Sequence, residues 1–464
     1  MLRNWSHCRN PAKKAKLDLS ISTNSRMHSY HSHNKKNARR DPNAIFVRGT
    51  NVPRGPNSIS AYFRAAAGVS NDVGLSRARM LENSHFQDLA AISYEPFPAR
   101  NAHINSYLDA IAKSYKEQEL RSRTELDQKV KALTASTSAN ADFESPEAEA
   151  EAQSKLQKAV RSITNSHVPK INMGPGRAEF KYLSNAIRLL GSQQTICLCV
   201  DVEAFERNTN VVTEIGISVY DPRESQFSTI PSLRTYHLIV AESLKLRNGR
   251  FVCDLKDCFL KGESYVMSLS NCVKFMQTLI NYYMVPETAA ERSWERAFVG
   301  HNVKGDLKWL ASIGVKIPQN IDYDLSKPQS PARILVLDTE RLFKTSYGSK
   351  GSSLGKILRL FEVPHAFLHN AGNDAYYTLK LLLHMCDIHY RKQLEMDDFY
   401  AIAAKIETWT QRDAAEAKIL PLSYVNAAVE FTDPTIKKKT VHQTEFGGCV
   451  WVEDPIAFLS GKKD

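Results

Sequence analysis

The stretch TICLCVDVEAF, Thr195 to Phe205, decides how this chain is read. From Ile196 to Val200 it is a continuous apolar run, the pattern of a strand buried on both faces of a sheet. The run ends in Asp201 and Glu203, two positions apart. Period-two geometry sends both carboxylates to one face. Two carboxylates packed at the rim of a core repel one another unless they share cations or a proton. An Asp-x-Glu alone is weak evidence, so the neighbouring segments decide its meaning.

FKYLSNAIRLL (180–190) reads as a helix leading into that strand. VVTEIGISVYD (211–221) and RTYHLIVAE (234–242) read as second and third strands. A helix around Leu269–Tyr283 follows. RAFVGHN (296–302) and RILVLDT (333–339) are two more strands, each running into a helical pattern. Three neighbouring strands followed by strand–helix alternation predict an α/β domain over 178–395, a mixed five-stranded sheet flanked by helices.

Acidic residues recur beyond strand ends. HNVKGDLKWL (His301–Leu310) places Asp306 at the start of a helical stripe, and LHNAGNDAYYTL (Leu368–Leu379) places His369 five positions ahead of Asp374. Each has a plain structural role open to it: Asn302 and Asn370 as helix caps, and the aspartates as first-turn acids facing the helix dipole. Jointly, Asp201, Glu203, Asp306 and Asp374 can converge at the ends of adjacent strands. All-oxygen ligation suits Mg²⁺ or Mn²⁺ rather than zinc. Two such ions, roughly 3.5–4 Å apart, stabilise both attacking and leaving oxygens of an in-line phosphoryl displacement. His369, with a pKa near working pH, is the candidate base for the attacking water.

DVE, HNVKGD and HNAGND resemble the three motifs of the DEDDh 3′–5′ exonucleases, which have the ribonuclease-H-like fold. TEIGISVYD is similar to the family's second strand, LDTERLF to its Asp-Thr-x-x-Leu segment, and SSLGKILRLFEVP to the helix before the third motif. The likeness spans roughly 194–390. Its wording, with a long insert between the early strands and the second motif, is closest to a fungal branch named for the "great for full DEAD-box protein" suppressor. The resemblance implies Asp201, Glu203 and Asp374 on a first metal, Asp201 with Asp306 on a second, and His369 as general base. It implies substrate contacts near Ala204, Phe205, His301 and Asn302. Many relatives have Thr-Gly where Ala204 and Phe205 stand; Phe205 is expected either to stack on a terminal base or to pack in the core.

The rest of the chain differs in character. Residues 1–54 hold twelve Lys and Arg against Asp18 and Asp41, nearly all of the net charge of +11. Residues 1–100, poor in apolar periodicity, are expected to be a disordered basic region. Within it Lys13, Lys14 and Lys16 form a cluster of the kind a nuclear import receptor binds, placing the protein in nucleus and/or cytoplasm. A mitochondrial presequence is the weaker alternative. Residues 101–177 carry helical spacing (Ile104, Leu108, Ile111, Tyr115), broken by TASTSANADFESPEAEAEA (134–152), and are expected to be marginal helices in a linker or partner-binding segment. Residues 396–464 are expected to be a helical extension and a polar tail. The eight scattered cysteines form no CxxC pair and predict a reduced, intracellular protein without structural zinc. No apolar run is long enough to span a membrane.

The function expected is a metal-dependent 3′–5′ exonuclease on single-stranded ends, RNA ahead of DNA. The alternative is a low-activity or inactive nucleic-acid-binding adaptor in ribonucleoprotein or messenger RNA export complexes, with RNA helicase partners.

Overall fold

The computed structural model describes residues 73–138, 146–224, 232–325, 333–348, 351–415 and 449–461. The chain divides into Met1–Thr50 and Asn51–Asp464, and every described residue belongs to the second unit. Its elements run α1 (Val73–Met80), α2 (Ser84–Ala91), α3 (Pro98–Ser138), α4 (Pro146–Ser166), α5 (Ala178–Gly191), β1 (Thr195–Phe205), β2 (Asn208–Tyr220) and β3 (Arg234–Val240). Then come β4 (Ser264–Met267), α6 (Leu269–Met284), α7 (Ala289–Arg292), β5 (Glu295–Gly300), α8 (Lys304–Ser312), β6 (Ile321–Asp322) and β7 (Ile334–Asp338). The last are α9 (Thr339–Tyr347), α10 (Leu354–Leu360), α11 (Ala371–Cys386), α12 (Ile388–Gln393), α13 (Phe399–Ala415), β8 (Cys449–Trp451) and α14 (Pro455–Leu459).

The sheet is mixed, with order β6-β7-β5-β1-β2-β3-β4-β8. β2 runs antiparallel to both β1 and β3, and the remaining pairings are parallel. β1, β3, β5 and β7 therefore end at the same edge of the sheet. The even-numbered residues Ile196, Leu198, Val200 and Val202 join the core formed with α6 and α8. Odd-numbered Cys197 and Cys199 join the core formed with α5 and α11. β1 is thus buried on both faces, as its unbroken apolar run requires.

The five expected strands are all present. Among the described residues the sheet has eight, because β4, β6 and β8 extend its edges. These three are four, two and three residues long, too short to show an alternating pattern. β8 and α14 also correct the expected polar tail: β8 pairs with β4, and Leu459 is buried against the core. No helix among the described residues is long and apolar enough to cross a membrane.

The N-terminal boundary is corrected as well. Among the described residues, helices are present from α1 on, well before residue 100. The buried Arg77 guanidinium donates to the carbonyls of Asn281 and Tyr282 at 2.9 and 3.1 Å and pairs with Glu291. Phe86 and Leu89 are buried, and the Trp294 indole donates to Ile92 O at 2.8 Å. Helices this short are held by partners far along the chain, which no local pattern announces. The expected disorder of residues 1–72, and Lys13, Lys14 and Lys16 with it, lies outside the described residues.

α3 is a 41-residue helix whose first half belongs to the core. Ile104, Leu108, Ile111 and Tyr115 are buried, as their spacing suggests. The hydroxyls of Tyr107 and Tyr115 both donate to Asp397. Arg391, 1% exposed, donates to Asp397 at 2.5 Å, to Tyr107 Oη at 2.9 Å and to Met385 O at 2.7 Å. A buried guanidinium is tolerable only when saturated in this way.

Candidate active site

Three glycine and asparagine positions bring α11 down onto β1 and β2. A Cβ on Gly216 of β2 would stand 1.7 Å from Ala371 O, and one on Gly372 would stand 2.6 Å from the Phe259 ring and 2.7 Å from His237 Cβ. Without side chains there, the start of α11 rests directly on the sheet. Asn370 caps the helix, its side chain accepting from the Asn373 amide at 3.1 Å. Capping and catalysis are therefore compatible readings of this segment.

Asp374, in that first turn, faces the odd-numbered side of β1 where Asp201 and Glu203 end. Its Oδ2 accepts from the His369 amide at 2.8 Å. His369 has φ 68°, a left-handed backbone that histidine tolerates better than most residues. One ligand atom from each of Glu203, His369 and Asp374 lies within 4.8 Å of the others. His369 Nδ1 stands 4.0 Å from Glu203 Oε1, and its ring is 54% exposed. Asp306, at the start of α8, reaches in from another side; its Oδ1 accepts from the Val202 amide, between the two β1 carboxylates, at 3.1 Å. The structure thus gathers the four carboxylates and the histidine at the C-terminal end of β1.

Electrostatics agrees with the crowding. Burial raises the Asp374 pKa to about 8, against the His369 amide, and that of Asp306 to about 7, against the Val202 amide. Burial first, then the charges of Asp374, Asp306 and Glu203, pushes Asp201 well above the usual carboxylate range. Glu203 is raised by burial and by Glu214, Asp374 and Asp306. Burial holds His369 below 6.5, so its ring is neutral at neutral pH.

The buried Asp374 Oδ1 has no hydrogen-bond partner. A buried acceptor left unmatched beside three other acids is costly, and a cation satisfies it. An all-carboxylate donor set with a histidine at its rim fits hard divalent ions.

Glu214 was not anticipated from the sequence, yet it lies directly across from Glu203 in the β1–β2 register. The signal was available: pairing the Asp-Val-Glu strand against TEIG places a second glutamate in the cluster. Glu214 is 3% exposed; His237 Nε2 stands 3.0 Å from its Oε2, and the Ala371 amide donates to it at 3.4 Å. Burial works against its ionisation, but His237 and the buried Lys256 outweigh burial and hold its pKa low. It buttresses the cluster from beneath and anchors the start of α11.

The other expected contacts have occupations within the fold. Register shifts at Glu203/Ala204 and Ala204/Phe205 turn Phe205 to the even-numbered face, where it packs against the core of Val202 and Leu307. Ala204 O accepts from Asn248 at 3.1 Å. The ring nitrogens of His301 lie 2.9 Å from Thr339 Oγ1 and from Ser352 O, tying down the loop before α10. Asn302 donates its amide to Asp338 at 3.1 Å.

Residues 196–385 match the family described as DNA polymerase III subunit epsilon-like, C-terminal domain, DEDDh. The chain is 44% identical to the uncharacterized protein YDR514C of Saccharomyces cerevisiae, over 89% of each chain. It is 50% identical to the Good for full DBP5 activity protein 2 of the same organism, over 64% of this chain and 56% of that relative. An uncharacterized nucleolar protein of Schizosaccharomyces pombe, C2C4.08, is 30% identical over 40% of this chain and 68% of its own length. With motif order, sheet and acid cluster in agreement, this chain belongs to the DEDDh family, in the fungal branch of the Good for full DBP5 activity protein 2.

Proposed function

We propose that this protein is a 3′–5′ exonuclease that hydrolyses phosphodiester bonds at single-stranded ends, RNA ahead of DNA. The observation that carries the reading is the meeting of Glu203, His369 and Asp374 around a buried, unmatched carboxylate oxygen. Two divalent ions, Mg²⁺ or Mn²⁺, held by Asp201, Glu203, Asp306 and Asp374, would supply charge stabilisation for the attacking and leaving oxygens. His369, neutral and half exposed at the rim, takes the proton of the attacking water. The new bond joins that water oxygen to phosphorus, the bond from phosphorus to the 3′ oxygen breaks, and the leaving oxygen collects a proton from solvent. The His369 amide on Asp374 keeps base and ligand in register through the reaction.

End-labelled single-stranded RNA and DNA incubated with the full chain and Mn²⁺ test the proposal. Shortening from the 3′ end by the unaltered protein, lost in Asp201→Ala and His369→Ala, supports it. No shortening, or equal shortening by the variants, refutes it.

A second reading, a nucleic-acid-binding adaptor with slow or absent turnover, is favoured by α3 and α4. Leu126, Val130 and Leu133 on α3 and Leu156 and Val160 on α4 are only half-buried. A relative named for full DBP5 activity points to a helicase-linked setting for this reading. RNA retention that survives loss of the carboxylates separates it from the first.

A further inference from the structure

Phe205, for which stacking on a terminal base and packing in the core were both open, lies half-buried against the core, and the structure offers another aromatic. The segment between β3 and β4 starts at the sheet edge where β1 also ends, and it is fastened to both elements that carry the acid cluster. On the β1 side, the Asn248 side chain donates to Ala204 O at 3.1 Å and accepts from the Glu206 amide at 2.9 Å. Glu206, three residues past Glu203, receives the amides of Arg250, Phe251 and Val252 at 3.1, 2.8 and 3.3 Å. On the α11 side, Asn370 donates to the carbonyls of Leu255 and Lys256, both at 3.0 Å. Asn373 donates to Cys258 O at 2.9 Å and accepts from the Leu260 amide at 3.0 Å. Arg247 braces the segment internally, at 3.3 Å from Asp254 and 2.6 Å from Asp257.

The tip of this fastened segment is what lies open. Phe251 is 64% exposed, and the Arg250 guanidinium sits over its ring at 5.2 Å from the centroid. Arg250 has no carboxylate partner among the described residues. Three amides converging on one carboxylate hold the turn in a single shape, with Gly249 at φ 124° allowing the bend. An exposed aromatic ring with a guanidinium over one face and no carboxylate neutralising it is a combination suited to single-stranded nucleic acid, the other face stacking a base and the cation taking a phosphate.

We propose that Phe251 and Arg250 form a stacking platform for one base of the single-stranded substrate, beside the 3′-terminal nucleotide. The inference rests on the proposed activity for its direction but not for its test, which measures binding alone. Full-length protein in EDTA is titrated against a fluorescent single-stranded oligonucleotide, with Phe251→Ala, Phe251→Trp and Arg250→Gln alongside. A set of oligonucleotides carries one abasic position at successive steps from the 3′ end.

Base–aromatic stacking of about 1–3 kcal/mol corresponds to a loss of roughly 5- to 150-fold for Phe251→Ala. Phe251→Trp retains binding, and Arg250→Gln weakens it with a shallower salt dependence. The unaltered protein loses affinity sharply at one abasic position, and Phe251→Ala loses nothing more there, because the stacking partner is already gone. Undiminished binding by Phe251→Ala, equal further losses at every abasic position, or no binding by the unaltered chain overturns the platform. Binding through Phe251 without any shortening of the strand leaves the platform standing and removes the exonuclease. Shortening without the coupling does the reverse.

Discussion

Gly216→Ala tests the claim that α11 carries Asp374 into place by resting on bare backbone. The added Cβ would lie 1.7 Å from Ala371 O. Carbon and oxygen settle at about 3.3 Å or more, so the first turn of α11 must retreat by roughly 1.6 Å. The extended strand conformation suits alanine, so the cost comes from the collision alone. Overpacking of this kind costs about 1–3 kcal/mol, and the upper end applies because the obstacle is backbone. Asp374 shares the displaced turn, and a misplacement of about 1 Å costs on the order of 100-fold in rate. Urea denaturation gives the stability, the initial rate on labelled single-stranded RNA gives the activity, and Mn²⁺ titration calorimetry reads the displacement without turnover. The comparison is Gly305→Ala, where a Cβ meets nothing within 4 Å, in the helix that carries Asp306. That variant is expected to match or exceed the parent by up to about 1 kcal/mol. Gly216→Ala with the parent's stability, Mn²⁺ affinity and rate would refute the reasoning, as would equal damage from Gly305→Ala.

The metal-free protein should lose stability as pH rises. Asp374 and Asp306, raised to about 8 and about 7 from 3.8, bind more protons folded than unfolded between those limits, so their contribution is full below 3.8 and gone above 8. Denaturation across that range, compared with Asp374→Asn, should show the slope in the parent and a weaker one in the variant, and added Mn²⁺ should abolish it. His369→Ala should lower the rate by about 10²–10⁴-fold and remove the acid limb of the pH–rate profile, which burial of the ring moves to the acid side of an ordinary histidine. Arg391→Met leaves the half-buried Asp397 without its cation, held by the Tyr107 and Tyr115 hydroxyls alone, and should cost about 1–3 kcal/mol in chemical denaturation, with the rate per folded molecule unchanged.

What the sequence revealed and what it hid divide along physical lines. β1 announces itself because five consecutive apolar residues ending in two acids suit a strand that crosses a core and emerges at a site. α6 and α11 show because helical periodicity is carried within the element. The segments that escaped are defined by their partners. β8 is a strand only because the distant β4 offers it a ladder, and the Asn271 side chain holds Glu453 O just past it at 2.6 Å. α1 and α2 are held by Arg77 and Phe86 reaching α6 and α7. In the site, spacing delivered Asp201, Glu203, Asp306, His369 and Asp374, but not which way Phe205 points. That was settled by a register slip, invisible to an alternating pattern. Glu214 was hidden for the opposite reason: a charge in an apolar strand looks like a solvent-facing position until its cross-strand neighbour is known.

β8 has a bearing on how this domain is handled. The family match ends at residue 385, whereas the sheet ends at residues 449–452, where the Val452 amide donates to Val266 O at 3.0 Å. Phe458, just beyond, packs its ring at 4.7 Å from that of Tyr265 and 6.2 Å from that of Phe275. A fragment cut at the family boundary keeps every candidate catalytic residue and still exposes the outer ladder of β4, together with two uncovered aromatic rings. An open strand edge next to apolar surface recruits other strands, including those of identical copies. Such a fragment is expected to aggregate, and its inactivity would report on a missing border rather than on the chemistry at its centre.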